Sequence, residues 1–333
     1  MAKTAAMKRD SNGELISVPA TMNYQTEEGT QHTLVANGKL YTKRLGDGND
    51  DEWVGVKQVP KEVTVNNARR INGTLDDHGF TLADAPTALK REGFDDIYTI
   101  LKDYYAECAA LVKKVTGADF VACFDHNVRS NKGHAEGKKI KDGAAVLQPV
   151  SLVHGDYTLN GGPLRLKQLT QPPGNNDQFR KILGSTPLLP ADAVERAKRG
   201  RFAIVNVWRS LMPCPLEKHP LAVCDAKTVR PTDLCVFEIH YKDRIGENYF
   251  VMNAKEHRWY YYPHMTNSEA LLFKQWDTEG TLLGGNSATM CLHTAFDDTT
   301  ASKDAPDRES IEVRTICIFD EKDATQPSKK LKV

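Results

Sequence analysis

From Asp95 onward the apolar positions fall into a helical rhythm. Ile97, Ile100, Leu101, Tyr104, Cys108, Leu111, Val112 and Val115 recur every three or four residues, and Gly117 closes the run. The period then shortens to that of a strand: residues 120–124 are apolar and aromatic, and polar Asp125, His126 and Asn127 follow. Residues 130–143 hold three glycines and almost no apolar side chain, which predicts a solvated loop. Val150-Ser-Leu-Val153 reads as a strand running into His154, and 191–198 as a short helix behind Pro190. Residues 158–190, rich in Pro, Gly, Gln and Asn, show no clear period. Beyond them the pattern predicts strands at 201–208, 233–241, 248–253, 257–262, 271–276 and 312–319.

Ahead of the helix, residues 1–65 mix Thr, Gly, Asn and Lys with short alternating stretches at 32–36 and 39–42. They read as an N-terminal extension of hairpins or an extended arm packed on the core. A helical layer followed by many short strands makes the chain mostly β with flanking helices. The expected architecture is a jelly roll (double-stranded β-helix, cupin-like) forming one domain over 66–325.

Composition narrows the function. Lys+Arg and Asp+Glu each number 44 in 333 residues, so no excess of basic charge is present to clamp a phosphate backbone, and a nucleic-acid partner is not expected. No apolar run approaches the length of a membrane span, and the polar N-terminus has no signal-like apolar core. The seven cysteines are scattered singly, several of them in apolar strand-like runs. They read as small buried hydrophobes in a reducing compartment, the cytoplasm.

The candidate chemistry lies in His154-Gly-Asp156, His293 and Arg308-Glu-Ser310. Two histidines and a carboxylate can fill one face of an Fe(II) ion and leave the other open for a co-substrate and dioxygen. An arginine fork with a hydroxyl two residues on suits the remote carboxylate of 2-oxoglutarate. Ten histidines and 44 acidic residues in 333 give about one His-x-acid pair by chance, and a rival exists at His134-x-Glu136. That rival lies in the Lys/Gly loop with no strand before it, so His154 and Asp156 are preferred. Arg308 has a plainer reading as a surface partner of Asp297, Asp298, Asp304 or Asp307.

Other residues are candidates on alternation and neighbourhood. Asn206 and Trp208 share one face of a strand; Asn206 would bond co-substrate or substrate, or serve as an edge amide. Arg209 would hold a substrate carboxylate or pair with Asp225 or Glu217. His126 and Arg129, placed after a strand and beside the loop, and Tyr157, next to the metal pair, are substrate-contact candidates. No side chain is assigned as acid, base or nucleophile.

Several runs resemble one family over about residues 66–320: Asp77-His-Gly-Phe80, Phe124-Asp-His126 with Arg129, Asn206-Val-Trp-Arg209, Pro220-Leu-Ala-Val-Cys-Asp225, His257-Arg-Trp-Tyr-Tyr-Tyr262, His293-Thr-Ala-Phe296 and Arg308-Glu-Ser-Ile-Glu-Val-Arg314. Their order resembles the asaB-type hydroxylase/desaturase family of specialised metabolism, which includes the cephamycin methoxylation component and gibberellin-desaturase-like proteins. The resemblance implies a double-stranded β-helix that uses Fe(II) and 2-oxoglutarate. It implies His154, Asp156 and His293 as ligands and Arg308 with Ser310 as the co-substrate clamp. The implied activity is oxidation of a C–H bond of a small specialised metabolite or amino-acid-like molecule by dioxygen, with release of succinate and CO2; Arg209, Arg129 and His126 near the pocket would suit a carboxylate-bearing substrate. Hydroxylation, desaturation and ring closure all remain open. The alternative is a cupin-like metalloprotein that uses the same triad without 2-oxoglutarate.

Overall fold

A computed structural model describes residues 6–28, 30, 38–44 and 53–321. Its strands, in chain order, are β1 (Lys8–Arg9), β2 (Leu15–Gln25), β3 (Leu40–Arg44), β4 (Trp53–Val54), β5 (Gln58–Asn67), β6 (Phe80–Asp84), β7 (Phe120–Ser130) and β8 (His154–Gly155). They continue as β9 (Arg201–Ser210), β10 (Leu221–Cys224), β11 (Leu234–Tyr241), β12 (Ile245–Val251), β13 (Trp259–Tyr261), β14 (Glu269–Asp277), β15 (His293–Ala295) and β16 (Glu309–Phe319). One sheet runs β1-β2-β5-β13-β10-β15-β8-β12-β11-β3-β4, and the other β6-β14-β9-β16-β7. Two mainly antiparallel sheets make the expected jelly roll. The alternating stretch at 32–36 lies outside the described residues. The one at 39–42 falls on β3, which pairs in parallel with β11.

The helix predicted from Asp95 forms with one irregularity. Asp96 caps it by accepting from the Thr99 N–H (2.9 Å), and Gly117, at φ +71°, ends it in the left-handed conformation that favours glycine. Between them Ile100–Tyr104 is a π turn, which inserts an extra residue into the helical phase. Consecutive Tyr104 and Tyr105 are therefore both buried, whereas Val115, apolar in the pattern, is exposed. Ile97, Leu101, Cys108 and Val112 pack on Val205, Val207, Ile311 and Val313, the outward face of the smaller sheet.

Alternation dictates what the opposite face carries. On β9 it presents Asn206 and Trp208; on β16, Ser310, Glu312 and Arg314; on β7, Asp125, Asn127 and Arg129, which stand opposite those three β16 residues in register. On the larger sheet Val223, His293, His154 and Phe250 stand opposite one another across β10, β15, β8 and β12 and so share a face. Between these two faces lies the candidate site.

Three local expectations change. The strand into His154 shrinks to His154–Gly155, with Leu152 making only an isolated bridge to Asn23. The solvated loop contains the short helix Asn131–Ala135, capped by Ser130, and buries Ile140. The aperiodic segment holds the helix Gly161–Leu169, where Gly162 lies against the Trp276 indole with no room for a Cβ. Its two leading glycines hid the helix from a pattern reading.

Candidate active site

His154, Asp156 and His293 converge, each offering a ligand atom within 4.8 Å of the others. His154 and His293 are directly opposed across β8 and β15, which brings their ring centroids to 4.3 Å. Each ring is oriented from behind by the carbonyl two residues earlier: His154 Nδ1 donates to Leu152 O at 2.8 Å and His293 Nδ1 to Cys291 O at 3.4 Å. That tautomer leaves both Nε2 atoms as acceptors for a metal. Burial, reinforced by His293, pushes His154 down to about 4, and burial lowers His293 too, so both imidazoles are neutral as ligation requires.

Asp156 is tied down on one oxygen. Its Oδ2 accepts from Asn206 Nδ2 (2.8 Å) and Arg314 Nε (2.9 Å), while its backbone N–H donates to Gln275 Oε1 (2.8 Å). Oδ1 lies 3.8 Å from His154 Nε2. Burial alone would raise this carboxyl; the Arg314 guanidinium overrides it and holds the group well below the usual carboxylate range. Arg314 also bonds Asp125 Oδ2 (2.8 Å) and lies 3.3 Å from Glu312 Oε1. Glu312, the acid in this cluster with the weakest hold on a cation, is pushed up by burial.

Beside the triad is a small chamber lined by Arg129, His154, Trp208, His293, Arg308 and Glu312, among others. Arg308 is 1 % exposed and its Cζ lies 5.5 Å from the Trp208 ring centre. Among the described residues it has no carboxylate partner, so the surface ion pair with Asp297, Asp298, Asp304 or Asp307 does not form. Its Nη1 donates to His219 O at 2.6 Å. His219 holds that carbonyl in place from a φ of +51°, a conformation non-glycine residues rarely take. Arg308 Nε, Ser310 Oγ and Asn206 Oδ1 are buried without a hydrogen-bond partner among the described residues. Unmet buried polar atoms beside two neutral imidazoles and a carboxylate fit a divalent metal with an anionic, oxygen-rich co-substrate. β15 and β16 lie in different sheets, so Arg308 approaches the triad from across the sandwich.

On the other side of Asp156 and Arg314 opens a larger pocket. Tyr157 lines it, as do Asp125, Asn127, Arg165, Arg244 and Glu247. Two candidate substrate contacts point away from both cavities. His126 is paired opposite Val313 and its Nδ1 meets Tyr105 OH at 2.9 Å; Arg209 donates to Tyr104 OH (2.9 Å) and Asn267 O (2.5 Å). Both belong to the packing of the helix on the smaller sheet, and Arg209 pairs with neither Asp225 nor Glu217. Strand β7 continues to Ser130, so residues 126 and 129, three apart, fall on opposite faces. Arg129 does line the small chamber. Asn206 is in the site too, but its amide protons go to Asp156 and Glu312.

Sequence reasoning gave no role to Arg314, Glu312, Gln275 or Asn127. A usable signal was present: Ser310, Glu312 and Arg314 alternate with Ile311 and Val313 in a strand otherwise apolar.

The family model described as "Oxidoreductase/YMDC permease-like domain" matches residues 22–318. The hydroxylase/desaturase efuI of Hormonema carpetanum is 32% identical over 326 residues, covering 92% of this chain and 97% of that one. The Fe(II)/2-oxoglutarate-dependent dioxygenase nvfI of Aspergillus novofumigatus is 34% identical over 265 residues, covering 78% and 83%. A solved structure of the iron and alpha-ketoglutarate-dependent endoperoxidase NvfI superposes with a TM-score of 0.69 at 26% identity, covering 92% of this chain and 99% of that one. Among the described residues no helix is long and apolar enough to cross a membrane.

Proposed function

The chain belongs to the asaB-type family of Fe(II)/2-oxoglutarate-dependent oxygenases, and from that premise we propose that His154, Asp156 and His293 hold the iron while Arg308 and Ser310 hold the remote carboxylate of 2-oxoglutarate. The enzyme uses Fe(II), 2-oxoglutarate and dioxygen to oxidise a small molecule. When bound, iron and co-substrate supply dioxygen activation coupled to decarboxylation of 2-oxoglutarate to succinate, at the expense of a substrate C–H bond.

The chain's own residues orient and enclose. The Leu152 and Cys291 carbonyls fix the ring tautomers; Asn206 and Arg314 occupy one Asp156 oxygen and leave the other for the metal. The unpaired Arg308 Nε and Ser310 Oγ carry the co-substrate reading, because a buried cation with spare donors requires an anion. A cupin-like metalloprotein without 2-oxoglutarate would leave them unmet. Trp208 and Leu221 wall the chamber against water.

The substrate is assigned to the larger pocket, with Tyr157 beside the metal end. A carboxylate-bearing substrate is supported by Arg244. Among the described residues its one acid within 4.0 Å, Asp177, is 3.9 Å away and already bonded by Arg165 at 2.7 Å, so the Arg244 guanidinium has donors to spare. Arg244 thus replaces Arg209 and His126 in that role. Residues 1–65, whose β2 and β5 extend the larger sheet, are read as bracing a single catalytic domain over 66–325. All seven cysteines are free, in keeping with a reducing cytoplasm.

The test is anaerobic Fe(II) titration of wild type, His154→Ala and Asp156→Ala, followed by succinate formation from 2-oxoglutarate in air. Wild type is expected to bind one iron and release succinate, and each variant to lose the iron while keeping its circular-dichroism spectrum. Stoichiometric iron in His154→Ala would overturn the assignment.

A further inference from the structure

Three arginines line the small chamber; Arg314 is paired with Asp125, Asp156 and Glu312, but among the described residues neither Arg129 nor Arg308 has a carboxylate partner. Arg308 is held by the His219 carbonyl, and Arg129 Nη1 by the Gln148 carbonyl at 2.8 Å. Glu312, the acid that also lines the chamber, is shared by Asn206 Nδ2 (3.2 Å) and Arg314.

Register orders these groups along the sandwich. Arg314 reaches Asp156; Glu312 comes next, opposite Asn127; then Ser310, opposite Arg129; then Arg308, just before the strand begins. Each alternate residue on a strand is a step of about 6.6 Å. Arg129 therefore stands roughly one such step nearer the metal ligands than Arg308. That step is comparable with the separation between the two carboxylates of a five-carbon chain.

We infer that Arg129 and Arg308 together form a receptor for a dianion, in which Arg129 engages the carboxylate at the keto end of 2-oxoglutarate beside the metal. Arg129 is thereby a co-substrate residue, not a substrate contact. The inference rests on the co-substrate reading above and adds a second anchor to it. Burial pushes Arg308 down to about 9 with Arg129 the next contributor, while Glu312 opposes the lowering of both arginines. Arg129 is likewise lowered by burial.

The experiment measures anaerobic binding to the iron-loaded enzyme by calorimetry, with three ligands. These are 2-oxoglutarate, 2-oxopentanoate (no remote carboxylate) and glutarate (both carboxylates, no keto group). Arg308→Met is expected to weaken 2-oxoglutarate at least about 30-fold, the cost of truncating a buried charge pair, and to erase its preference over 2-oxopentanoate. Arg129→Met is expected to weaken both 2-oxo acids by a similar factor, leave that preference intact, and recover partly in Arg129→Lys. Without ligand, Arg129→Met should melt close to wild type, because the one bond it loses is to the exposed Gln148 carbonyl, which water can satisfy; a purely structural arginine would show a clearly lower midpoint. If Arg129→Met binds both 2-oxo acids as wild type does, the inference is wrong. A wild type that binds glutarate through both arginines yet makes no succinate from 2-oxoglutarate in air would sink the oxygenase reading and keep the receptor. Unchanged glutarate affinity in both variants would sink the receptor itself.

Discussion

Arg314 Nε and Asn206 Nδ2 converge on the same Asp156 oxygen, at 2.9 and 2.8 Å, and leave the second oxygen facing His154. A carboxylate held in this way can give a metal one oxygen only, so its orientation is set before any ion arrives.

Asn206 is the cleaner probe of that arrangement because it is neutral. Asn206→Ala should lower Fe(II) affinity about 10- to 100-fold, the usual cost of removing a group that orients a ligand. Competition against a metallochromic chelator reads this directly, with 2-oxoglutarate absent. Unaltered iron affinity would show that Arg314 alone suffices.

Arg209 gives the opposite kind of result. It is 2 % exposed and bonded to Tyr104 OH and Asn267 O, on the face of β9 away from the iron. Arg209→Met strands the buried Tyr104 hydroxyl, at about 1–3 kcal/mol for a buried group left unsatisfied, whereas the Asn267 carbonyl lies at an exposed position. Chemical denaturation should register that loss while the KM for substrate and for 2-oxoglutarate stays put. A raised substrate KM at unchanged stability would restore Arg209 to the pocket.

The convergence of His154, Asp156 and His293 and the buried Arg308–Ser310 pair were legible because the metal and carboxylate binding proposed for them restricts residue types sharply, and because His154 stood where a strand-like run ended. His126 and Arg209 misled for a single physical reason. Each lies three residues from a true inward position, Arg129 and Asn206 respectively, and an odd offset on a strand reverses the face. Their actual partners, Tyr105 and Tyr104, are adjacent in sequence, and a regular helix would not bury two neighbours equally. The π turn at Ile100–Tyr104 makes that possible, and no periodicity announces it. Arg314 went unassigned because its three acids come from β7, from β16 and from the turn after β8, a convergence that only the paired register supplies.

Arg244 lines the larger pocket and is the residue proposed to meet a substrate carboxylate there. Arg244→Met should raise the KM for a carboxylate-bearing substrate about tenfold, the scale of one lost charge contact at a partly exposed site, without changing 2-oxoglutarate affinity. The measurement is substrate-stimulated succinate release across matched acids and their methyl esters. The ester of a good substrate should behave in wild type much as the acid does in the variant. Equal KM values for acid and ester in wild type would exclude an anion at this end.

His126 supplies the pH dependence of stability. Burial pushes it down to about 4; Asp125 opposes that shift, Arg314 adds to it, and Tyr105 OH occupies its Nδ1. Its Nε2 is buried without a partner, so the folded protein has no acceptor there for a second ring proton. The unfolded chain takes up a proton near 6.5, whereas the folded one resists until about 4. Between those values the unfolded state binds more protons, so stability falls as pH drops through that window and levels off below it. His126→Gln retains an acceptor for Tyr105 and cannot titrate. It should remove on the order of 2 kcal/mol of the decline between about pH 6.5 and 4.5. Urea unfolding at several pH values measures it. Some slope should remain, because His154 is also pushed down to about 4 by burial. A His126→Gln profile parallel to that of wild type would mean that His126 is already protonated in the folded protein, with its ring turned to reach Asp125.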